Sequence, residues 1–179
     1  MTTNPHIPQA AEQRSVALAL QGMLVDLLDL TLIGKHLHWN VKGHLFRSVH
    51  DELDELVDAW RILADDVAER AVTIGSSPDG QVEAIATATR FETLPAGNLS
   101  DREVLGAIGD RVADAAIRTR ERVERLALTD VVSGDLLIHV AATLEKQLWM
   151  LRAQIPDSGP AEREPVGIRG GDSNGTDRS

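Results

Sequence analysis

Apolar residues recur every three or four positions from residue 11 to 40: Val16, Leu20, Leu24, Leu27, Leu28 and on to Leu37. That is the period of one buried helix face, so the spacing predicts a helix across 11–40. Gly22 and Gly34 weaken helix propensity inside it and are expected to let a neighbour pack closely. Lys42-Gly43 marks the stop. A second helix is predicted over 45–74, with Val49, Leu53, Leu56, Val57, Trp60, Leu63, Val67 and Ala71 as its apolar set. GSSPDG at 75–80 ends it, 81–89 forms a short helical candidate, and LPAGN at 94–98 breaks the chain again. Ser100-Asp101-Arg102-Glu103 has the form of a capping box, so a third helix begins at Asp101 and runs to about Leu128. Thr129 or Asp130 caps a fourth, which ends near Ile155, just before Pro156.

Four long helices with one long middle connection imply an all-α fold, a four-helix bundle of the crossover type with a short helix in that connection. No period-two alternation predicts a strand. The bundle occupies residues 11–155, preceded by a tail at 1–10. Residues 156–179 hold five Gly and three Pro with no apolar period, and their charges sum to -2. They read as a second tail that builds no core of its own.

Composition narrows the chemistry. The 179 residues include no Cys, which excludes disulfides, thiolate metal sites and cysteine catalysis. The formal net charge of -10 argues against an electrostatic grip on nucleic acid and fits attraction of cations, or nothing more than solubility. No apolar run approaches the ~20 residues that span a bilayer, and no signal-peptide core is visible. The expectation is a cytoplasmic protein with no membrane partner.

HLHWNVKGHLFRSVHDELDE, residues 36–55, carries four of the six histidines. On a helical wheel with His50 at zero, Asp54 falls at about 40°, Asp65 at about 60°, Asp58 at about 80° and Glu69 at about 100°. His50 with Asp54, and Asp65 with Glu69, are each four apart, so each pair can converge on one ion. Imidazole with carboxylate suits Fe, Zn or Mn. An acid-rich helix face is more often merely solvated, and a lone histidine is more often structural. His38, however, sits just before the Gly43 turn, and a helical hairpin brings it towards His50 and Asp54. The two ligand pairs lie about 22 Å apart along the helix, too far to share one ion within a protomer. Two antiparallel copies of this helix about a two-fold axis would place His38, His50 and Asp54 of one against Asp65 and Glu69 of the other, forming two sites. The di-iron pattern within a single bundle needs Glu-x-x-His, and no Glu here has His three residues later.

KHLHWNVKGHLF, SVHDELDE and ADDVAER, with QLWMLRAQI in the last helix, resemble the diagnostic run of Dps, the DNA-binding protein from starved cells, over about residues 10–155. The resemblance implies a ferritin-like mini-ferritin: a hollow homo-dodecamer with ferroxidase sites at its two-fold interfaces. The family's iron ligands fall on His38, His50, Asp54, Asp65 and Glu69. Asp66 points about 100° away from Asp65 and ranks lower. Trp39 matches the family's Trp near the centre, where packing is its commoner role and trapping of a stray oxidising equivalent the other. The implied reaction is oxidation of Fe(II) to Fe(III), preferably by hydrogen peroxide, with oxygen as the alternative oxidant, and deposition of ferric mineral in the cavity. Asp51 and Glu55 are candidates for mineral nucleation, though a solvated surface explains them equally. Asp130 and Asp135 resemble the acidic lining of the family's three-fold pores, and Asp also favours a helix start on capping grounds.

Direct DNA binding in this family uses a Lys/Arg-rich tail, which is absent here: the first fourteen residues hold only Glu12 and Arg14 as charges. DNA binding is therefore expected to be weak or absent. The rival functions are a nucleoid-associated, DNA-protecting protein with minor iron chemistry, and a helical adaptor with a solvated acid stripe.

Overall fold

The computed structural model describes residues 10–155, so the two tails read from the sequence lie outside the described residues, save Ala10. The chain runs α1 (Ala10–Asn40), β1 (Val41–Lys42), α2 (Phe46–Thr73), α3 (Val82–Ala88), β2 (Leu99–Ser100), α4 (Asp101–Leu126) and α5 (Val131–Ala153). α1 packs chiefly along α2, and α4 along α5; α1 closes the bundle against α4. All eight apolar positions predicted for the second helix are buried in α2. The one departure from an all-helical reading is small. β1 and β2 form a two-residue parallel pair, Val41 with Leu99 and Lys42 with Ser100, where the chain leaving α1 runs beside the chain entering α4. Two residues are too few to write an alternating pattern into a sequence.

α1 corrects a second expectation. An 18-residue window within Ala11–Asn40 reaches a mean hydropathy of 1.9, enough in length and composition to cross a bilayer. Within the bundle, 56% of that window is buried, because α1 meets α2, α3 and α4. A helix enclosed on several sides has little need of polar residues, which is why it mimics a span.

The glycines of α1 act as expected. A Cβ at Gly34 would lie 2.7 Å from Val57 Cγ2 and 3.0 Å from Trp60 Cζ3, so its absence lets α2 seat against α1. Gly22 leaves room for Arg122 from α4. There Asp26 accepts from Arg122 Nη1 at 2.7 Å and from Arg118 Nη2 at 3.0 Å, making a buried ionic triad across α1 and α4.

The α1–α2 turn is anchored from outside. α2 has no side-chain cap of its own at Leu45. Instead the Leu45 N–H donates to Asp101 Oδ2 at 2.8 Å, so the first residue of α4 caps α2. Gly43 takes a φ of +138°, and any Cβ there would overlap the Asp101 carboxylate. Asp101 is available because Ser100 and Glu103 already cap α4 reciprocally: the Ser100 hydroxyl accepts from the Glu103 N–H at 3.3 Å, and Glu103 accepts from the Ser100 N–H at 2.8 Å.

Candidate metal centre

The hairpin brings the last turn of α1 against the first turns of α2. His38 Nδ1 lies 2.9 Å from the His50 carbonyl oxygen, and His50 Nδ1 lies 3.0 Å from the His38 carbonyl oxygen. A carbonyl only accepts, so each Nδ1 carries the proton and each Nε2 keeps its lone pair. The rings stack with centroids 3.6 Å apart, and Phe46 lies 5.0 Å from the His50 ring. The exchange fixes both tautomers in the form a metal needs.

Asp54 joins them differently from the sequence expectation. Its Oδ1 lies 3.3 Å from His38 Nδ1, the nitrogen already committed to a carbonyl, and 2.6 Å from Lys35 Nζ. The Lys35 hydrogen bond is the main cause holding the Asp54 carboxyl below its usual range, and the Lys35 charge adds to it. His38, His50 and Asp54 are thus neighbours but not a ready chelate, because an ammonium occupies the carboxylate. Among the described residues no group of three His, Asp or Glu is placed to hold a metal ion. Lys35 had been visible three residues before His38 on the same helix face, yet only the fold reveals its partner.

Asp65 and Glu69 lie towards the other end of the same unbroken helix, both exposed. Asp58 and Asp66 are exposed too. Trp39 does not pack within the protomer; it is 71% exposed, with Lys35 Nζ 5.9 Å from its ring centre. Asp51 pairs with Arg47 at 2.6 Å on the surface. Glu55 opens onto a groove of about 460 Å³ between α2 and α5, beside Glu52, His139 and Lys146.

The two pore candidates have different settings. Asp130 is the N-cap of α5, accepting from the Val132 and Ser133 N–H groups. It also accepts from Ser133 Oγ at 2.7 Å and from Arg70 Nη2 at 2.8 Å. Burial works to raise its carboxyl, but the Ser133 and Arg70 hydrogen bonds outweigh that and leave it below the ordinary range. Asp135, one turn on, is exposed.

A ferritin-like domain profile matches residues 17–157. Over 156 residues the chain is 38% identical to a DNA protection during starvation protein of Mycolicibacterium smegmatis, covering 86% of this chain and 85% of the relative. The chain belongs to the Dps family of ferritin-like proteins. Solved Dps structures share the fold. That of Mycobacterium smegmatis Dps in a tetragonal form superposes with a TM-score of 0.81 at 35% identity, covering 88% of this chain and 95% of that one. Dps92 from Deinococcus radiodurans gives 0.79 at 33%, covering 80% and 87%. For a Dps-family protomer the general frame is iron storage and DNA protection.

Proposed function

We propose that this protein is a ferroxidase and iron store, oxidising Fe(II) with hydrogen peroxide at sites shared between two-fold-related subunits of a dodecamer. The observation that carries this reading is the layout of the α1–α2 hairpin: His38 of α1 and His50 of α2 with free Nε2 atoms at its turn, two exposed carboxylates towards the far end of α2, and one uninterrupted helix between His50 and them. Each end is half a coordination sphere. A second copy running antiparallel supplies the missing half twice.

Iron enters this scheme as substrate. The histidine half offers two neutral nitrogens, and Asp65 and Glu69 of the mate offer hard oxygens that favour Fe(III) as it forms. Peroxide takes two electrons, one from each of two Fe(II), and leaves as water after accepting two protons. No hydroxyl radical is released in such a pairwise step. Fe(II) reaching Asp54 has to displace the Lys35 ammonium, so the resting protomer keeps this carboxylate neutralised until a stronger cation arrives. Large apolar side chains left bare on the protomer support assembly: Trp39 and Ile62 on the α1–α2 side, and Leu128, Val131 and Val132 at the α4–α5 turn. Asp135, beside that turn and exposed, is the better pore acid, since the Asp130 carboxylate is already engaged.

DNA protection then follows from removing iron and peroxide rather than from coating DNA. The guanidinium groups of Arg47, Arg70, Arg118, Arg120 and Arg122 are each paired with an acid, and the formal net charge is -10, a balance that opposes displacement of counterions from DNA. The test is ferric absorbance after Fe(II) and peroxide are added to the purified protein. His50→Ala and Asp65→Ala should each slow it about tenfold or more, as losses of metal ligands do. Co-assembling the two variants should restore some sites, and no recovery in proven mixed assemblies refutes the shared site.

A further inference from the structure

α2 carries four of the five proposed ligands, and three polar rungs tie it to α5. Gln154 Nε2 donates to both oxygens of Glu52, at 3.0 and 2.8 Å. Trp60 Nε1 donates to Gln147 Oε1 at 2.9 Å in the middle of the bundle. Arg70 donates from Nε to Ser133 Oγ at 2.9 Å and from Nη2 to Asp130 Oδ2 at 2.8 Å. With His50 at zero on the wheel, the rungs leave α2 at about 200°, 280° and 200°, whereas the ligands span about 0° to 100°. The rungs therefore grip the face roughly opposite the ligand stripe.

Side-chain packing sets how α2 crosses its neighbours, and directional hydrogen bonds add a second restraint on its rotation and register. The outer rungs also sort by half-site. Glu52 lies between His50 and Asp54 in sequence, and Arg70 follows Glu69. We propose that Gln154 and Arg70 are positioning residues for the iron site. Gln154, through Glu52, aims the histidine half, and Arg70, anchored on Asp130 and Ser133, aims the carboxylate half. This rests on the shared-site reading above.

The test uses Co(II) without oxidant, with binding to the assembled full chain followed by equilibrium dialysis and visible absorption. Gln154→Leu and Arg70→Gln should each weaken binding by up to about tenfold, the lower end for groups that touch a ligand directly, since these two act on α2 rather than on a ligand. The deciding readout is the mixture. In a mixed dimer of these two variants one site joins two sound halves, so random pairing returns about a quarter of all sites to native affinity. Arg70→Gln mixed with Asp65→Ala damages the same half in both chains and returns none. A general loss of stability would not distinguish these mixtures. If Arg70→Gln does not assemble, Arg70→Lys and Ser133→Ala weaken the same rung more gently and should follow the same half-specific pattern. Equal recovery in both mixtures overturns the proposal. So does unchanged binding in Gln154→Leu and Arg70→Gln while Asp65→Ala loses it. Unchanged binding in Asp65→Ala and His50→Ala as well overturns the shared site itself.

Discussion

Asp26→Asn is the sharpest test of how the bundle is held. Asp26 is 3% exposed and Arg122 5%, and the single carboxylate answers two guanidinium groups. Asparagine keeps the shape and removes the charge, leaving the buried Arg122 and the partly buried Arg118 facing an amide. Burial already pushes the Arg122 guanidinium below its usual range, offset in part by Asp26. Removing one partner of a buried ion pair costs about 3–5 kcal/mol. The lower end applies, since Arg118 is 13% exposed along its side chain and stacks on Phe91 at 4.7 Å. About 3 kcal/mol is a large share of the roughly 5–15 kcal/mol that domains possess. In a chain of this size it should lower Tm by about 6–12 °C. Thermal unfolding at fixed protomer concentration measures it, and the loss should persist in about 1 M salt, which screens surface pairs far more than buried ones. Replacing all three residues with apolar ones (Asp26→Leu, Arg118→Met, Arg122→Met) should recover most of the loss, because no charge is then buried unpaired. A loss below about 1 kcal/mol, within the range of an exposed pair, would refute the reasoning.

The remaining expectations concern the turn, the acid limb and DNA. Gly43→Ala should destabilise the protein by about 1–3 kcal/mol, from left-handed strain and collision with Asp101, as read from the unfolding midpoint. The Asp130 carboxyl is depressed on folding, so its contribution is complete above the ordinary carboxylate range and disappears as pH falls through its folded pKa. The stability gap between wild type and Asp130→Asn should therefore be constant from pH 7 to about 5 and close in stronger acid, in a urea titration against pH. In a gel shift at about 0.15 M salt the assembled protein should leave duplex DNA unretarded, and tight, salt-sensitive retardation would contradict the charge argument.

What the sequence determined by itself was the set of elements and the stripe. Helix starts were legible where side chains act on their own neighbours: Ser100 with Glu103, and Asp130 ahead of α5. The apolar period of α2 foretold its buried face, and that same period placed His50, Asp54, Asp65 and Glu69 together on another. Helix geometry also kept the two ligand pairs apart without any coordinates, because rise per residue is a local quantity. Tertiary structure decided everything that depends on which atom meets which across helices. Spacing brought His38 near His50, but only the packed hairpin shows each Nδ1 spent on the other's carbonyl and each Nε2 left free. Spacing gathered Asp54 as a ligand, and only the fold shows Lys35 holding it. Asp130 reads from the sequence as a pore acid or a helix cap, and only the fold shows Arg70 paired with it across the bundle, sixty residues away in the chain. Helical period specifies directions around one axis; partners on another helix depend on how two such axes pack, and that is a property of the whole chain.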